Sequence, residues 1–482
     1  MSTPNFNDAA PAPLPPMPLR FCARRLIVGC CLTPVMLFSV VLVGVWIWWT
    51  LWNHQLNRKL ADEIQRVRAR GEPLTTLELN EYYQPAQGRP DMTKEILAAF
   101  EICLSPDLSP LSSRLPIVGD PKDFGFPEEI PPASVGWEQL AEVETFLARQ
   151  PTALATFHEV ARRKGTARYP SDYSAGFNTL LEHVQGLRQA SRTLSLEFHV
   201  HLHRGRPSRA IDSILAQLAM AQTLEGDPSM VSQLVRVAIG REALKLMQRG
   251  MIEVNWSAAD LTRLQTGLRD FQFPSALKDA LMGERASAFT ACYDPLKMAG
   301  PKSNPTPEEV EVMLTRRPQR VADAAKILEI HRGLIESSEQ PISQSIIAGQ
   351  KMQAEVDALG KSPVTQLTYI MTLLFVPGAG YMAQSLAETA AGRDSTDAAI
   401  AAELYRRKHR NWPEKLEDLV PAFLPQIPND PFTDMPMKMK LSADELKVYS
   451  NGSDLQDDGG NLSDRMTPGS DVGFEVRVPK EP

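Results

Sequence analysis

Apolar positions along this chain fall into three regimes. In the first, they run from Leu26 to Trp52 without a charge for 27 residues, "LIVGCCLTPVMLFSVVLVGVWIWWTLW". About 20 apolar residues let a helix span a bilayer. Trp46, Trp48, Trp49 and Trp52 crowd one end, where indoles favour the headgroup interface. The run is too long for a cleaved signal peptide, and no small-residue cleavage site follows it. It predicts a transmembrane helix over 26–52 behind a proline-rich, disordered tail over 1–25. Arg20, Arg24 and Arg25 precede the run, which favours a cytoplasmic N-terminus. The expectation is a single-pass protein of the cytoplasmic (inner) membrane, with most of the chain outside the cytoplasm.

The second regime is helical. Residues 53–136 read as a helical stalk and a proline-rich loop: a polar helix over 53–70 stopped by Gly71 and Pro73, another over 91–104, then seven prolines between 105 and 136. An α-helical ectodomain follows over 137–390. Phe177, Leu180, Leu181, Val184, Leu187, Ala190 and Leu194 keep the three-four spacing of one buried face. Ile211, Ile214, Leu215 and Leu218 repeat it after "GRPS", and Ser257 is placed to cap the helix that follows it. Helix, short turn, helix predicts an irregular α-hairpin array, with a compact helical domain as the alternative. A second uncharged run, 362–387, contains Gln366, Gln384, Pro377 and Gly378. It predicts a buried helical hairpin or a bent helix more than a second span.

In the third regime, 391–482, a helix to Arg410 breaks at Trp412-Pro413. Alternation then predicts strands in "PMKMKL", "ELKVYS" and "VGFEVRV", the last with Val472, Phe474, Val476 and Val478 on one face. The predicted fold is therefore mainly α: a transmembrane helix, an irregular α-hairpin array and a small α+β domain.

Charge and cysteines narrow the partners. Net charge is −7 with both signs interspersed, and no basic stripe suggests nucleic acid. Cys103 and Cys292 lie beyond the apolar run. They are either a disulfide in an oxidising compartment or two buried thiols. No nucleophile-elbow, phosphate-loop or dinucleotide motif occurs, so no catalytic residue is nominated. "FHVHLHRG" groups His199, His201 and His203. His199 and His203 share a helix face at metal-compatible spacing, but no acidic residue completes a zinc motif. A half-exposed helix end is the plainer reading.

The tail gathers "DPFTDMP" (430–436), "YSNGSD" (449–454), a Gly-Asp-rich loop and "DVGF" after it. In these motifs it resembles the C-terminal half of a type II secretion major pseudopilin. Thr433 and Leu455 stand where that family carries glycine, and nothing like its leader precedes Leu26. The whole chain resembles bacterial single-pass membrane proteins with a pseudopilin-like end. The resemblance implies Ca²⁺ as cofactor, with Asp454, Asp457, Asp458, Asn461, Asp464 and Asp471 as ligands. Independently, Ca²⁺ takes six to eight hard oxygens, which a short glycine-rich acidic loop can converge. A solvated acidic turn is the alternative. The expected function is a membrane-anchored scaffold or interaction protein with a protein partner in the cell envelope. Alternatives are an envelope hydrolase with its site in the helical body, and an accessory part of a secretion or pilus-like system.

Overall fold

The uncharged run lies within one long helix, α1 (Leu19–Ala69), which ends where Gly71 takes φ +67°. The computed structural model describes residues 19–84, 88–119, 130–273, 275–293, 317–442, 445–462 and 470–477. Of the tail expected over 1–25, residues 1–18 lie outside the described residues, as do 120–129, Asp464 and Val478, while residues 19–25 are helical as the first turns of α1 and not the disordered chain expected. From Met36 to Leu51 the side chains of α1 are exposed throughout, and Trp48 stacks on Trp52 at 5.8 Å between ring centroids. Among the described residues two helical stretches are long and apolar enough to cross a membrane: Met36–Ala69, whose apolar window has no buried share, and Ile370–His409, whose apolar window is 41% buried. Met1–Lys59 forms one unit and Leu60–Pro482 the other.

The second unit is built from helices and one small sheet. Among the described residues α2 is Thr76–Tyr82, α3 Thr93–Cys103, α4 Ser109–Ser112, α5 Leu140–Ala148, α6 Pro151–Arg163, α7 Glu182–His203 and α8 Pro207–Gln222. They are followed by α9 Met230–Glu253, α10 Ala258–Asp270, α11 Ala276–Tyr293, α12 Arg317–Ser338 and α13 Ile342–Leu359. Two short helices, α14 (Pro363–Thr368) and α15 (Ile370–Phe375), then lead into α16 (Gly378–His409).

Local chemistry explains several boundaries. Pro207 opens α8 from a position where its missing N–H costs nothing. Ser257 caps α10 as its position suggested, in a reciprocal box with Asp260. The face expected from Phe177 to Leu194 is cut short. The chain turns at Gly176 (φ +61°), and Thr179 Oγ1 donates to the Gly176 carbonyl over 2.7 Å. The helix starts at Glu182, leaving Leu180 at 74% exposure while Val184, Leu187, Ala190 and Leu194 are buried.

The main core joins α3, α6, α7, α8, α9 and α10. Strands β1 (Lys438–Leu441), β2 (Glu445–Ser450) and β3 (Val472–Arg477) form an antiparallel meander in that order. Phe474 and Val476 of β3 enter the main core, and Leu446 and Val448 of β2 pack against alanines of α16. Helix α16 itself passes through residue 390, so one helix supports both the body and the sheet. Cys103 and Cys292 are buried free thiols, and burial pushes the Cys103 thiol up to about 12.

Candidate functional site

Helices α6, α7, α8 and α10 enclose an open groove of about 1050 Å³. Its floor is apolar, with Leu215, Leu218 and Ala219 from α8 and Phe271 just beyond α10. Close approach of α8 to α10 uses Gly267, where a Cβ would lie 2.2 Å from Leu215 Cδ2. Its walls are charged. Arg89, Arg162, Lys164, Arg206, Arg209 and Arg263 face three carboxylates, Glu197, Asp212 and Asp270.

Each of those carboxylates is already engaged. Arg263 Nη2 donates to Asp212 Oδ1 over 2.5 Å, Lys164 Nζ to Asp270 Oδ2 over 2.7 Å, and His158 Nε2 lies 2.9 Å from Glu197 Oε2. Arg206 is exposed and has no carboxylate partner among the described residues. Arg89 and Arg162 are engaged too, by Glu225 and Glu159, and Arg209 lies 3.7 Å from Asp212. Among the described residues the unpaired positive charge of the groove is therefore the Arg206 guanidinium, whose planar fork matches a carboxylate.

The triple-histidine motif splits between two environments. His199 packs edge-on against Phe198 in the core, and burial drives its pKa down to about 3. His203 lies 3.1 Å from the Pro131 carbonyl and packs on Trp137. The middle residue, His201, instead faces the groove, 4.0 Å from Glu197. The described residues contain no group of three His, Cys, Asp or Glu arranged to hold a metal. His158, some forty residues upstream, is the groove histidine that motif reading missed. Only its place on α6, opposite Glu197, brings it in.

A Ser-His-Asp set also exists, and its geometry is structural. His183 Nδ1 lies 3.3 Å from Ser171 Oγ, and its Nε2 lies 3.2 Å from Ser232 Oγ and 3.4 Å from Asp227. Serines thus sit at both ring nitrogens, and all of these side chains are buried. Asp227 does lie on the nitrogen opposite Ser171, but a triad also needs its nucleophile open to substrate, and Ser171 and Ser232 are both buried.

In the tail, Asp430 of "DPFTDMP" accepts from Ser450 Oγ (2.8 Å) and from the N–H of Asn451 (3.1 Å), joining it to "YSNGSD". Of the residues nominated for Ca²⁺, Asp454, Asp457, Asp458 and Asn461 are exposed and Asp471 is buried. Three lysines reach this loop. Lys438 Nζ donates to Asp457 Oδ2 (2.5 Å), Lys440 Nζ to the Gly459 carbonyl (2.6 Å) and Lys447 Nζ to the Gly460 carbonyl (3.4 Å). Asp471 Oδ2 accepts from Gly460 N–H over 2.8 Å. Its Oδ1 and the Asn451 Oδ1 are buried without a hydrogen-bond partner among the described residues. The β2–β3 register sets Ser450 opposite Val472, so Asn451 and Asp471 come next at one end of the sheet. Burial, with Asp457 and Asp458 nearby, raises the Asp471 carboxyl despite its backbone hydrogen bonds.

No family model matches this chain, and neither a curated protein nor a solved structure matches it.

Proposed function

We propose that this chain is a membrane-anchored interaction protein whose helical body receives an acidic segment of a partner protein in the cationic groove. The observation that carries this reading is the groove's make-up: the unpaired Arg206, with Arg209 only loosely held by Asp212 at 3.7 Å, beside an apolar floor. Arginines give directional, paired hydrogen bonds to carboxylates, and the floor gives a place for the partner's apolar side chains. A hydrolytic reading has less support. Ser213 Oγ donates to Glu197, but the serine is buried and, against the pull of burial, His158 holds the carboxyl below its ordinary range, which makes it a weak base.

In this reading α1 crosses the cytoplasmic membrane with the N-terminus inside, and the body works on the other side. The tail is a pseudopilin-like module whose loop is locked by cations. Two supplies of positive charge serve it: the three lysines already in place, and Ca²⁺ at the orphaned oxygens of Asn451 and Asp471.

A photo-crosslinking residue in place of Thr266, an exposed groove position, tests the proposal in intact cells. The expected result is one dominant adduct, lost on Arg206→Glu with Arg209→Glu, whose crosslinked peptide is rich in Asp and Glu. A crosslinked peptide without acidic residues, or an adduct indifferent to the charge reversal, would sink it.

A further inference from the structure

The second uncharged run, Ser362–Ala387, meets the solvent along much of its length, where the sequence had suggested burial. Val364, Leu367, Ile370, Leu374 and Tyr381 recur at intervals of three, three, four and seven residues and are between 40% and 72% exposed. Phe375 stacks on Phe177 at 4.0 Å, which joins the exposed Leu180 loop to the same patch.

The polar residues of the run are turned back on the protein itself. Gln366 Nε2 donates to the Gly360 carbonyl (2.5 Å), Thr365 Oγ1 to the Leu359 carbonyl (2.5 Å) and Thr368 Oγ1 to the Val364 carbonyl (2.8 Å). The break between α14 and α15 is satisfied too. Asp323 accepts from the N–H groups of Met371 (2.7 Å) and Thr372 (2.9 Å) and from the Thr372 hydroxyl (2.6 Å). A surface that has internalised its hydrogen bonds loses little on leaving water.

We propose that the α14–α15 face and Tyr381 lie in the interfacial layer of the bilayer that α1 spans. This rests on the reading of α1 as an anchor. Three observations favour lipid as the occupant over a protein. First, no charge interrupts 26 consecutive residues, as a surface entering the apolar edge of a bilayer requires. Second, Lys361, which directly precedes the run, is exposed without an ion-pair partner among the described residues, in place for an anionic headgroup. Third, Met371 and Phe375 pack against the cluster that contains Leu60 and Ile64. Leu60 is eight residues from Trp52, a reach of at most ~29 Å even fully extended.

The test uses the full chain in nanodiscs of phosphatidylcholine and phosphatidylglycerol. An environment-sensitive fluorescent amino acid is placed in turn at Leu374, at Val45 in α1, and at Ile252, an exposed position of α9. Nitroxide lipids labelled near the carbonyl or deep in the acyl chain serve as quenchers. The proposal expects position 374 to be quenched by the shallow label, position 45 by the deep one and position 252 by neither. Leu367→Glu, at an exposed site, should abolish quenching at 374 while circular dichroism stays unchanged. Quenching at 45 without quenching at 374 overturns the proposal and leaves the anchor standing. Loss of quenching at 45 overturns the anchor and the proposal with it. Shielding of 374 from aqueous iodide without lipid quenching assigns the face to a protein partner, which also overturns it.

Discussion

His158 Nε2 lies 2.9 Å from Glu197 Oε2 on the groove wall, and Ser213 Oγ donates to the same oxygen over 2.7 Å. Burial disfavours both charges, but their mutual attraction outweighs it. The imidazole is held above its ordinary range and the carboxylate below its own. The raised His158 contributes stability that is complete below the unfolded imidazole pKa and is lost as pH rises through the folded value. The depressed Glu197 contributes above the unfolded carboxylate pKa and loses that contribution as pH falls through its folded value. The destabilisation caused by His158→Leu should therefore be larger at about pH 6 than at about pH 8. Urea midpoints of the full chain measure it, and equal differences at the two pH values would count against the pair.

Tyr173 donates its hydroxyl to the buried Asp227 carboxylate over 2.6 Å, whereas Tyr169 pairs with the neutral Thr223 hydroxyl over 2.7 Å. A hydrogen bond to a charged group is worth ~1.5–3 kcal/mol and a neutral one ~0.5–1.5 kcal/mol. Tyr173→Phe should accordingly cost more than Tyr169→Phe. The two unfolding midpoints decide it, and the reverse order would count against the Tyr173–Asp227 hydrogen bond.

Leu455 holds a left-handed, glycine-like backbone conformation at φ +62°. The left-handed region costs a residue with a Cβ ~1–2 kcal/mol, partly offset by the chain entropy glycine loses on folding. Leu455 is more than half exposed, so little packing is lost with it. Leu455→Gly should stabilise the fold by up to about 1 kcal/mol. A destabilised variant would mean that this side chain packs in the functional protein.

Hydrogen exchange separates the two cation supplies of the tail. If Ca²⁺ binds at the orphaned oxygens, the amides of Gly460 and Val472 should exchange more slowly in calcium than in chelator, and Asp471→Asn should remove the difference. Identical exchange in both would leave the loop to its lysines. Lys438→Met would then loosen it on its own.

How much of this was legible depends on range. The apolar run of α1, the Ser257 cap and the three strands are local signals, and each appears where its residues predict it. Phe177 and Leu180 carried the right spacing, but the turn at Gly176 took them off the helix. His199 and His203 shared a helix face as expected. Yet α7 is buried on both sides, so a face chosen by spacing alone was a core face for His199. The groove brings Arg89, His158, Glu197 and Arg263 together from distant segments. No local pattern announces such a site. Its sequence traces are His201 of the histidine motif and the cations Arg206 and Arg209 around the start of α8.

The most direct measurement is a fluorescence-anisotropy titration of the full chain in nanodiscs with a labelled peptide of alternating glutamate and glycine. The account predicts saturable binding, weakened at least about tenfold by Arg206→Glu with Arg209→Glu and weakened again by added salt. Absence of saturable binding, or binding that the charge reversal leaves unchanged, would contradict it.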